Sequence, residues 1–407
     1  MNILFLCHRI PYPPNKGDKI RSFHEIKHLS QDHNLYLAFL VDDERDLEQI
    51  EGLKDYCIDY RYDVISPQWQ KIKALPYLMT STPLSVPYFY SVRLQEQIDR
   101  LLDDVSIDGI LCFSSPVAEY VFRSRHYDGS RCGNARLVMD FVDVDSDKWR
   151  MYAGFSSFPW ALVYQREWKR LQEYEKKVGE AFDWSIFVSD KEVELFKSFC
   201  DDAAAVSVAN GVDTAYFGSV REARSEHFHQ VNQADSATIL FMGAMDYFPN
   251  EDAVLYFVAE IWPLVKKEIP YARFVVVGGK PSQRVTALAE ADPAIVLTGY
   301  VPDVRPYLTK AAAFVAPFRI ARGIQNKVLE AMAAGVPVVA RPESVQGLKG
   351  FGDGLRVEES SQDFATALIE LIADPEQSAV SASDSERFIA THHNWGKNLQ
   401  DLERLLA

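Results

Sequence analysis

Short apolar runs recur along the chain, separated by stretches with helical spacing. In the first half they are Ile3–Leu6, Leu35–Val41, Gly109–Phe113, Leu137–Phe141 and Ser185–Val188. In the second half they are Thr238–Met242, Arg273–Val277, Ala294–Leu297, Ala313–Ala316 and Val336–Ala340. Strands of a parallel sheet look like this, because helices cover both faces and neither face needs polar residues. Alternation with helices predicts βαβ units and doubly wound sheets. Two such series predict an α/β chain of two Rossmann-like domains. The boundary is expected near Ala205–Gly211, where Val206 and Val208 end a strand and Asn210-Gly211 make a turn. The polar stretch Arg221–Ser236 has no apolar period and reads as a loop or linker. Near the end, Leu399, Leu402, Leu405 and Leu406 recur at helical spacing. The expected division is 1–205 for the first domain, with 386–407 packing back on it, and 212–385 for the second.

Length agrees with that division: 407 residues exceed the usual 100–200 or so of one domain. A hydrophobic content of 47% with 25% charged residues supplies two cores. The formal net charge of −15 argues against a nucleic-acid partner, which would need a basic face against phosphates. An anionic substrate must instead meet a local basic pocket. Cys7, Cys57, Cys112, Cys132 and Cys200 are odd in number and scattered, with no C-x-x-C pair. This predicts neither disulfides nor a zinc site, and fits a reducing cytoplasm. The opening MNILFLCHRIPYPP reads as a first strand and not as a signal peptide, since it lacks a basic leader and a long apolar run. No stretch approaches 18 apolar residues, so no membrane span is expected.

The most informative stretch is Pro317–Pro337, PFRIARGIQNKVLEAMAAGVP. A strand is expected to end at Pro317. A loop with Arg319, Arg322 and Gly323 follows, then Ile324 and a helix from about Gln325 to Ala334, stopped by Gly335 and Pro337. In open α/β sheets ligands bind beyond the carboxyl ends of strands. A helix N-terminus there offers free N–H groups and partial positive charge to a phosphate. Gly323 permits close backbone approach. Arg319, Arg322 and Lys327 are suited to a diphosphate, and Glu330, one turn further on, to ribose hydroxyls. The alternative is an ordinary loop with solvated arginines.

These residues resemble a known family. Glu330-Ala331-Met332-Ala333-Ala334-Gly335-Val336-Pro337-Val338-Val339 resembles the E-A-M-A-x-G-x-P-V-V signature of glycosyltransferase family 4. Asn210-Gly211-Val212-Asp213 with Phe217 resembles its N-G-V-D-x-x-x-F turn. Phe241-Met242-Gly243-Ala244-Met245 and Gly299-Tyr300-Val301 resemble two further strand-to-loop segments, and Pro11–Arg21, PYPPNKGDKIR, resembles its N-terminal glycine loop. The closer resemblance is to bacterial sugar transferases of exopolysaccharide and PEP-CTERM sorting loci. It is carried by Asp140–Ser146 with Trp149, by Gly243–Tyr247 with Pro249-Asn250, and by Arg319–Glu330.

The resemblance implies a GT-B fold, in which two Rossmann-like domains face each other across a cleft. It implies a retaining, metal-independent transferase with no cofactor. The partners would be a UDP- or GDP-linked sugar donor and a glycan or polyprenyl-linked acceptor, in exopolysaccharide or other surface-polysaccharide synthesis. The donor side would comprise Gly17, Gly243, Asn250, Arg319, Gly323, Ile324, Gln325, Lys327 and Glu330. Two departures stand out. Arg322 occupies the position of a second family glutamate, and Tyr247-Phe248-Pro249-Asn250 lacks the family's phosphate lysine. Arg319, Arg322 and Lys327 would then supply the positive charge, with Arg322 assisting the leaving group. A nucleotide-sugar epimerase on the same fold and a catalytically degenerate binding subunit are the alternatives.

In the early loop, Pro11, Pro13 and Pro14 stiffen the chain, Gly17 allows a tight turn, and Lys16, Lys19 and Arg21 are cations. The resemblance turns this loop toward the donor phosphates and acceptor. Asp140, Asp143, Asp145 and Asp147 cluster after a strand. A calcium loop is excluded, since its sixth and twelfth positions would be Lys148 and Gly154. A metal-binding D-x-D at Asp143-Val144-Asp145 conflicts with the two-domain organisation. Asp140 or Asp143 as acceptor-orienting group or base remains, beside a capping or ion-pair role. Finally, Trp69–Lys73 through Tyr77–Met79, and Trp160–Lys177, set basic residues beside aromatics. They read either as peripheral contacts at the inner face of a membrane or as amphipathic core helices.

Overall fold

The computed structural model describes residues 1–14, 17–230, 237–321, 325–348 and 350–407. It divides into two compact units, Met1–Ala209 with Gly396–Ala407, and Asn210–Trp395.

The first unit holds seven strands: β1 (Asn2–Cys7), β2 (Asn34–Val41), β3 (Asp59–Val64), β4 (Gly109–Phe113), β5 (Arg136–Val142), β6 (Trp184–Phe187) and β7 (Ala205–Ser207). They pair in parallel in the order β3-β2-β1-β4-β5-β6-β7. Helices lie in the connections, as parallel pairing requires. Ile3, Leu4, Phe5, Leu40 and Leu111 are fully buried, so the central strands have no solvent face. The helix Trp395–Leu406 buries Leu399, Leu402 and Leu406 at i, i+3 and i+7. A side chain at Gly109 would meet Leu406, which fixes how closely this returning helix covers β4.

The second unit repeats the plan with β8 (Thr238–Met242), β9 (Arg273–Val277), β10 (Ile295–Gly299), β11 (Ala313–Ala316), β12 (Val338–Ala340) and β13 (Leu355–Val357). Their order is β10-β9-β8-β11-β12-β13, again all parallel. In both sheets the order reverses next to the first strand, and ligands of open α/β sheets bind at such a switch point, beyond the strand ends.

Two expectations are corrected. The stretch read as a linker is helical through residue 230, in Thr214–Gln230, while residues 231–236 lie outside the described set. Phe217, Val220 and Arg224 are buried at i, i+3 and i+7, so an arginine fills a slot of the apolar stripe. Its guanidinium donates to the carbonyls of Leu308 (2.8 Å) and Ala311, which close the helix Arg305–Lys310. A cation there is favoured by the helix dipole. The early loop is also shorter than expected, since the helix Gly17–Leu29 already carries Lys19 and Arg21.

Candidate donor-binding site

In the second unit, the carboxyl ends of β8 and β9 meet closely. Gly243 N–H donates to the Val277 carbonyl at 2.9 Å, and Met245 N–H to the Gly279 carbonyl at 2.9 Å. A side chain at Gly278 would fall 1.8 Å from the Gly243 carbonyl oxygen, and one at Gly243 would fall 2.7 Å from Asn250 Nδ2. Glycine is required at Gly278 for the two backbones to approach, and at Gly243 it leaves room for the Asn250 amide.

Asn250, in the first turn of the helix Phe248–Tyr256, is buried. Its Nδ2 donates to the Ala244 carbonyl at 2.8 Å, and its Oδ1 accepts from Lys327 Nζ at 2.6 Å. One amide thus ties the loop after β8 to the helix Asn326–Ala333, which follows β11. Lys327 lies 4.7 Å from the Phe318 ring centroid and 5.5 Å from that of Phe241. Burial lowers its ammonium to about 8, a shift that the nearby Glu330 carboxylate opposes. Glu330, one turn along the same helix, is pushed up to about 7 by burial, with Lys327 pulling the other way. Val328, Leu329, Ala331 and Met332 fill the core, which leaves Lys327 and Glu330 together on the half-buried face. A charged lysine held in poor solvation at a helix start is suited to an incoming anion.

The expected site residues fall as follows. Gly243, Asn250 and Lys327 come together, Glu330 is one turn away, and Gln325 immediately precedes the helix. Arg322, Gly323 and Ile324, like Lys16, lie outside the described residues. Arg319 pairs with Asp252 through Nε–Oδ2 at 3.1 Å and a second, shorter contact, and sits 5.1 Å from the Tyr256 ring. Its charge is already matched. The sequence reading missed Tyr216, whose hydroxyl donates to Asp303 at 3.0 Å and whose ring lies 4.2 Å from the Arg305 guanidinium. Glu330 acts electrostatically on that hydroxyl, so this cluster borders the same face. The signal was the Gly299-Tyr300-Val301 turn, which runs directly into Asp303.

In the first unit, Gly17 opens its helix and is exposed. Lys19 and Arg21 are corrected, because both are buried within the unit. Lys19 Nζ pairs with Asp46 at 2.6 Å. Arg21 donates to Asp140 at 2.6 Å and to the Val208 carbonyl at 2.8 Å, with Glu25 at 3.1 Å. Asp140, fully buried on β5, also accepts from Val142 N–H at 2.8 Å. It takes the ion-pair role and not that of an acceptor-facing base. Glu25 is pushed well above the usual carboxylate range, by burial first and then by Asp140, with Arg21 pulling the other way.

Directly after Asp140 the backbone makes a γ-turn: Val142 has φ 68° and Asp143 N–H donates to the Phe141 carbonyl at 2.9 Å. Such a conformation costs a β-branched residue about 1–3 kcal/mol. It separates the two aspartates, sending Asp140 into the core and leaving Asp143 half-buried at the strand end. Asp145 and Asp147 open the helix Asp145–Phe155, where carboxylates suit the dipole. Ser114, at the end of the neighbouring β4, also has positive φ, 75°. Among the described residues no three His, Cys, Asp or Glu side chains gather as a metal site.

Residues 236–374 match the family described as "Glycosyl transferases group 1", so the second unit carries that domain. The architecture is GT-B, two Rossmann-like parallel α/β units. Similar solved structures include sucrose-phosphate synthase from Thermosynechococcus elongatus, with 17% identity, TM-score 0.74, and 99% of this chain and 98% of that one covered. Anabaena HepE, solved in complex with UDP, shows 14% identity and TM-score 0.67 over 100% and 99%. WaaG, a glycosyltransferase involved in lipopolysaccharide biosynthesis, shows 14% identity and TM-score 0.64 over 99% of each chain. No curated protein sequence matches the chain. Among the described residues no helix is long and apolar enough to cross a membrane.

Proposed function

We propose that the chain is a family 4 glycosyltransferase that moves a sugar from a UDP- or GDP-linked donor to a glycan or polyprenyl-linked acceptor in surface-polysaccharide synthesis. One observation carries the proposal: Gly243, Asn250, Lys327 and the start of the helix Asn326–Ala333 converge beyond β8 and β11, within the matched domain. The similar HepE has been solved with UDP-glucose as well, which supports a nucleotide-sugar donor. The helix start and Lys327 would face the diphosphate, with Arg322 beside them by sequence, and Glu330 would accept from ribose. The bond between the anomeric carbon and the diphosphate breaks, a bond to the acceptor hydroxyl oxygen forms as its proton passes to the departing diphosphate, and the diphosphate leaves with its charge met by fixed donors. The first unit would carry the acceptor, with Asp143 near its hydroxyl. The resemblance to family 4 implies retention of configuration and no bound metal.

The test is a panel of nucleotide-sugars read by thermal shift, since a ligand of the folded state raises stability. Nucleotide release is then followed with and without acceptor extract, in EDTA. Acceptor-dependent release that survives EDTA is expected. Release lost in EDTA and restored by Mg²⁺ or Mn²⁺ would overturn the metal-independent mechanism, and turnover without acceptor would indicate epimerase chemistry.

A further inference from the structure

Two stretches of the first unit carry no charged residue: the 19 residues from Ala74 to Val92 and the 15 from Met151 to Gln165. One residue in four is charged along the chain, so uninterrupted runs of this length are unusual. The structure brings them together. Arg166 donates to the carbonyls of Tyr77, Leu78, Thr80 and Thr82, and Glu167 accepts from the N–H groups of Leu84 and Ser85 at 2.7 and 3.0 Å. The second stretch forms the tip of a helical hairpin between Asp145–Phe155 and Trp160–Ala181.

What these stretches expose is apolar. Phe155 is 61% exposed, Phe158 81%, Trp160 58% and Leu162 59%, while Leu75 is 57% and Met79 93% exposed. Trp69 and Ile72, immediately before the first stretch, are exposed as well. Trp149, Tyr152 and Tyr164 pack together beneath the hairpin tip with ring centroids 5.4 to 6.1 Å apart, which holds the tip in shape. Soluble chains rarely leave so many large apolar side chains in one place without a partner.

The charges at the rim identify the partner. The first charged residue on each side of each stretch is basic: Lys73 and Arg93, then Arg150 and Arg166. The chain as a whole has 58 acidic against 43 basic residues, so this bias runs against its composition. Lys71 and Lys169 add exposed cations at the same rim, and Arg93 is 81% exposed. Arg150 pairs with Asp147, Arg93 lies 3.7 Å from Asp63, and Arg166 is taken up by the carbonyls named above, while Glu167 is buried, so the exposed lysines Lys71, Lys73 and Lys169 carry the charge of the rim. Exposed tryptophan and phenylalanine ringed by cations suit the boundary between water and an anionic bilayer, where rings enter the headgroup level and Lys or Arg meet lipid phosphates.

We propose that the hairpin tip Phe155–Leu162, together with Leu75–Met79, docks the first unit on an anionic lipid surface. The inference stands independently of the donor site. It is tested by cosedimentation of the full chain with vesicles of phosphatidylcholine alone or mixed with phosphatidylglycerol. Binding to the anionic vesicles is expected, weakening at high salt, with a blue shift of tryptophan fluorescence. The double variant Phe158→Ser/Trp160→Ser should lose at least about tenfold in partitioning, and Leu75→Ser/Met79→Ser should lose a similar factor. All four side chains are exposed, so melting temperature and donor binding should not change. Absence of parent binding to the anionic vesicles would overturn the proposal, as would equal binding by either double variant. Self-association that the variants abolish, with no vesicle binding, would assign the patch to a second copy instead.

Discussion

Lys327 gives the sharpest test of the donor site, because its environment sets a pH window. Its ammonium is held at about 8 instead of 10.5, mainly by burial. A diphosphate brought beside it would favour the charged form. At an effective dielectric near 20, a unit charge about 4 Å away contributes roughly 4 kcal/mol, enough to carry the bound-state value back above 10 or so. Between the two values each pH unit then costs a factor of about ten in affinity, since binding must recover a proton. The charged fraction of the free protein falls from about nine-tenths at pH 7 to about one-tenth at pH 9, so nucleotide affinity should drop about tenfold over that interval. The unliganded protein should behave oppositely. Its folded-state value lies below the unfolded 10.5, so the unfolded chain binds more protons in between. This group therefore makes the fold more stable as pH rises from about 8 to 10.5. The assay is calorimetric titration with the nucleoside diphosphate from pH 6.5 to 9, for the parent and Lys327→Met. Subtracting the two curves removes the ligand's own ionisation. The parent should lose affinity through pH 8, while Lys327→Met should bind more weakly and without that slope. A parent curve that is flat from pH 7 to 9, or a slope that survives in Lys327→Met, would refute the placement of a diphosphate at Lys327.

Glu330→Ala should lower nucleotide affinity by about 1.5–3 kcal/mol, the usual worth of a hydrogen bond to a charged group, with folding intact by circular dichroism. Arg322→Ala should lower kcat/KM at least about tenfold, or about 1.4 kcal/mol, with partial recovery in Arg322→Lys, which lacks the planar fork. If Arg322→Glu is as active as the parent, the charge argument for that position fails. Asp140→Ala should destabilise the first unit by about 3–5 kcal/mol in urea denaturation, because Arg21 loses its charged partner inside the core. Lost turnover with unchanged stability would instead return Asp140 to the acceptor side.

Much of the fold was legible because strands buried on both faces are written as unbroken apolar runs. Gly109–Phe113, Thr238–Met242, Arg273–Val277 and Ala313–Ala316 fall where those runs predict. The strands that escaped notice lack that signature. Asp59–Val64 is an edge strand whose apolar run is interrupted by Asp59, Arg61 and Asp63, and Leu355–Val357 is too short to show any period. The helix Thr214–Gln230 escaped because Arg224 stands in its apolar stripe, a substitution that makes sense only once the carbonyls of Leu308 and Ala311 are seen beside it.

The candidate site divides along a similar line. Glycines that permit close approach leave a local trace, and Gly243 falls where its motif suggests. The fate of a cation leaves none, because its partner arrives from elsewhere in the chain. Lys19 is claimed by Asp46, Arg21 by Asp140 and Arg319 by Asp252, at separations of 27, 119 and 67 residues. Counting basic residues near a loop therefore overstates what is free to meet a phosphate. Lys327 differs: its amine donates to a neutral amide and lies against two ring faces, and Glu330, the carboxylate that acts on it, titrates at about 7 and so is only half-ionised there. A diphosphate at this helix start would meet a cation whose hydrogen-bond partner is neutral. To recruit Arg319 it would have to displace Asp252, at the cost of that pair. Asp252→Asn separates the two cases. If Arg319 serves the donor, releasing it should raise nucleotide affinity. If Lys327 and the helix start carry the binding, affinity should stay at the parent value while the pH slope through 8 persists.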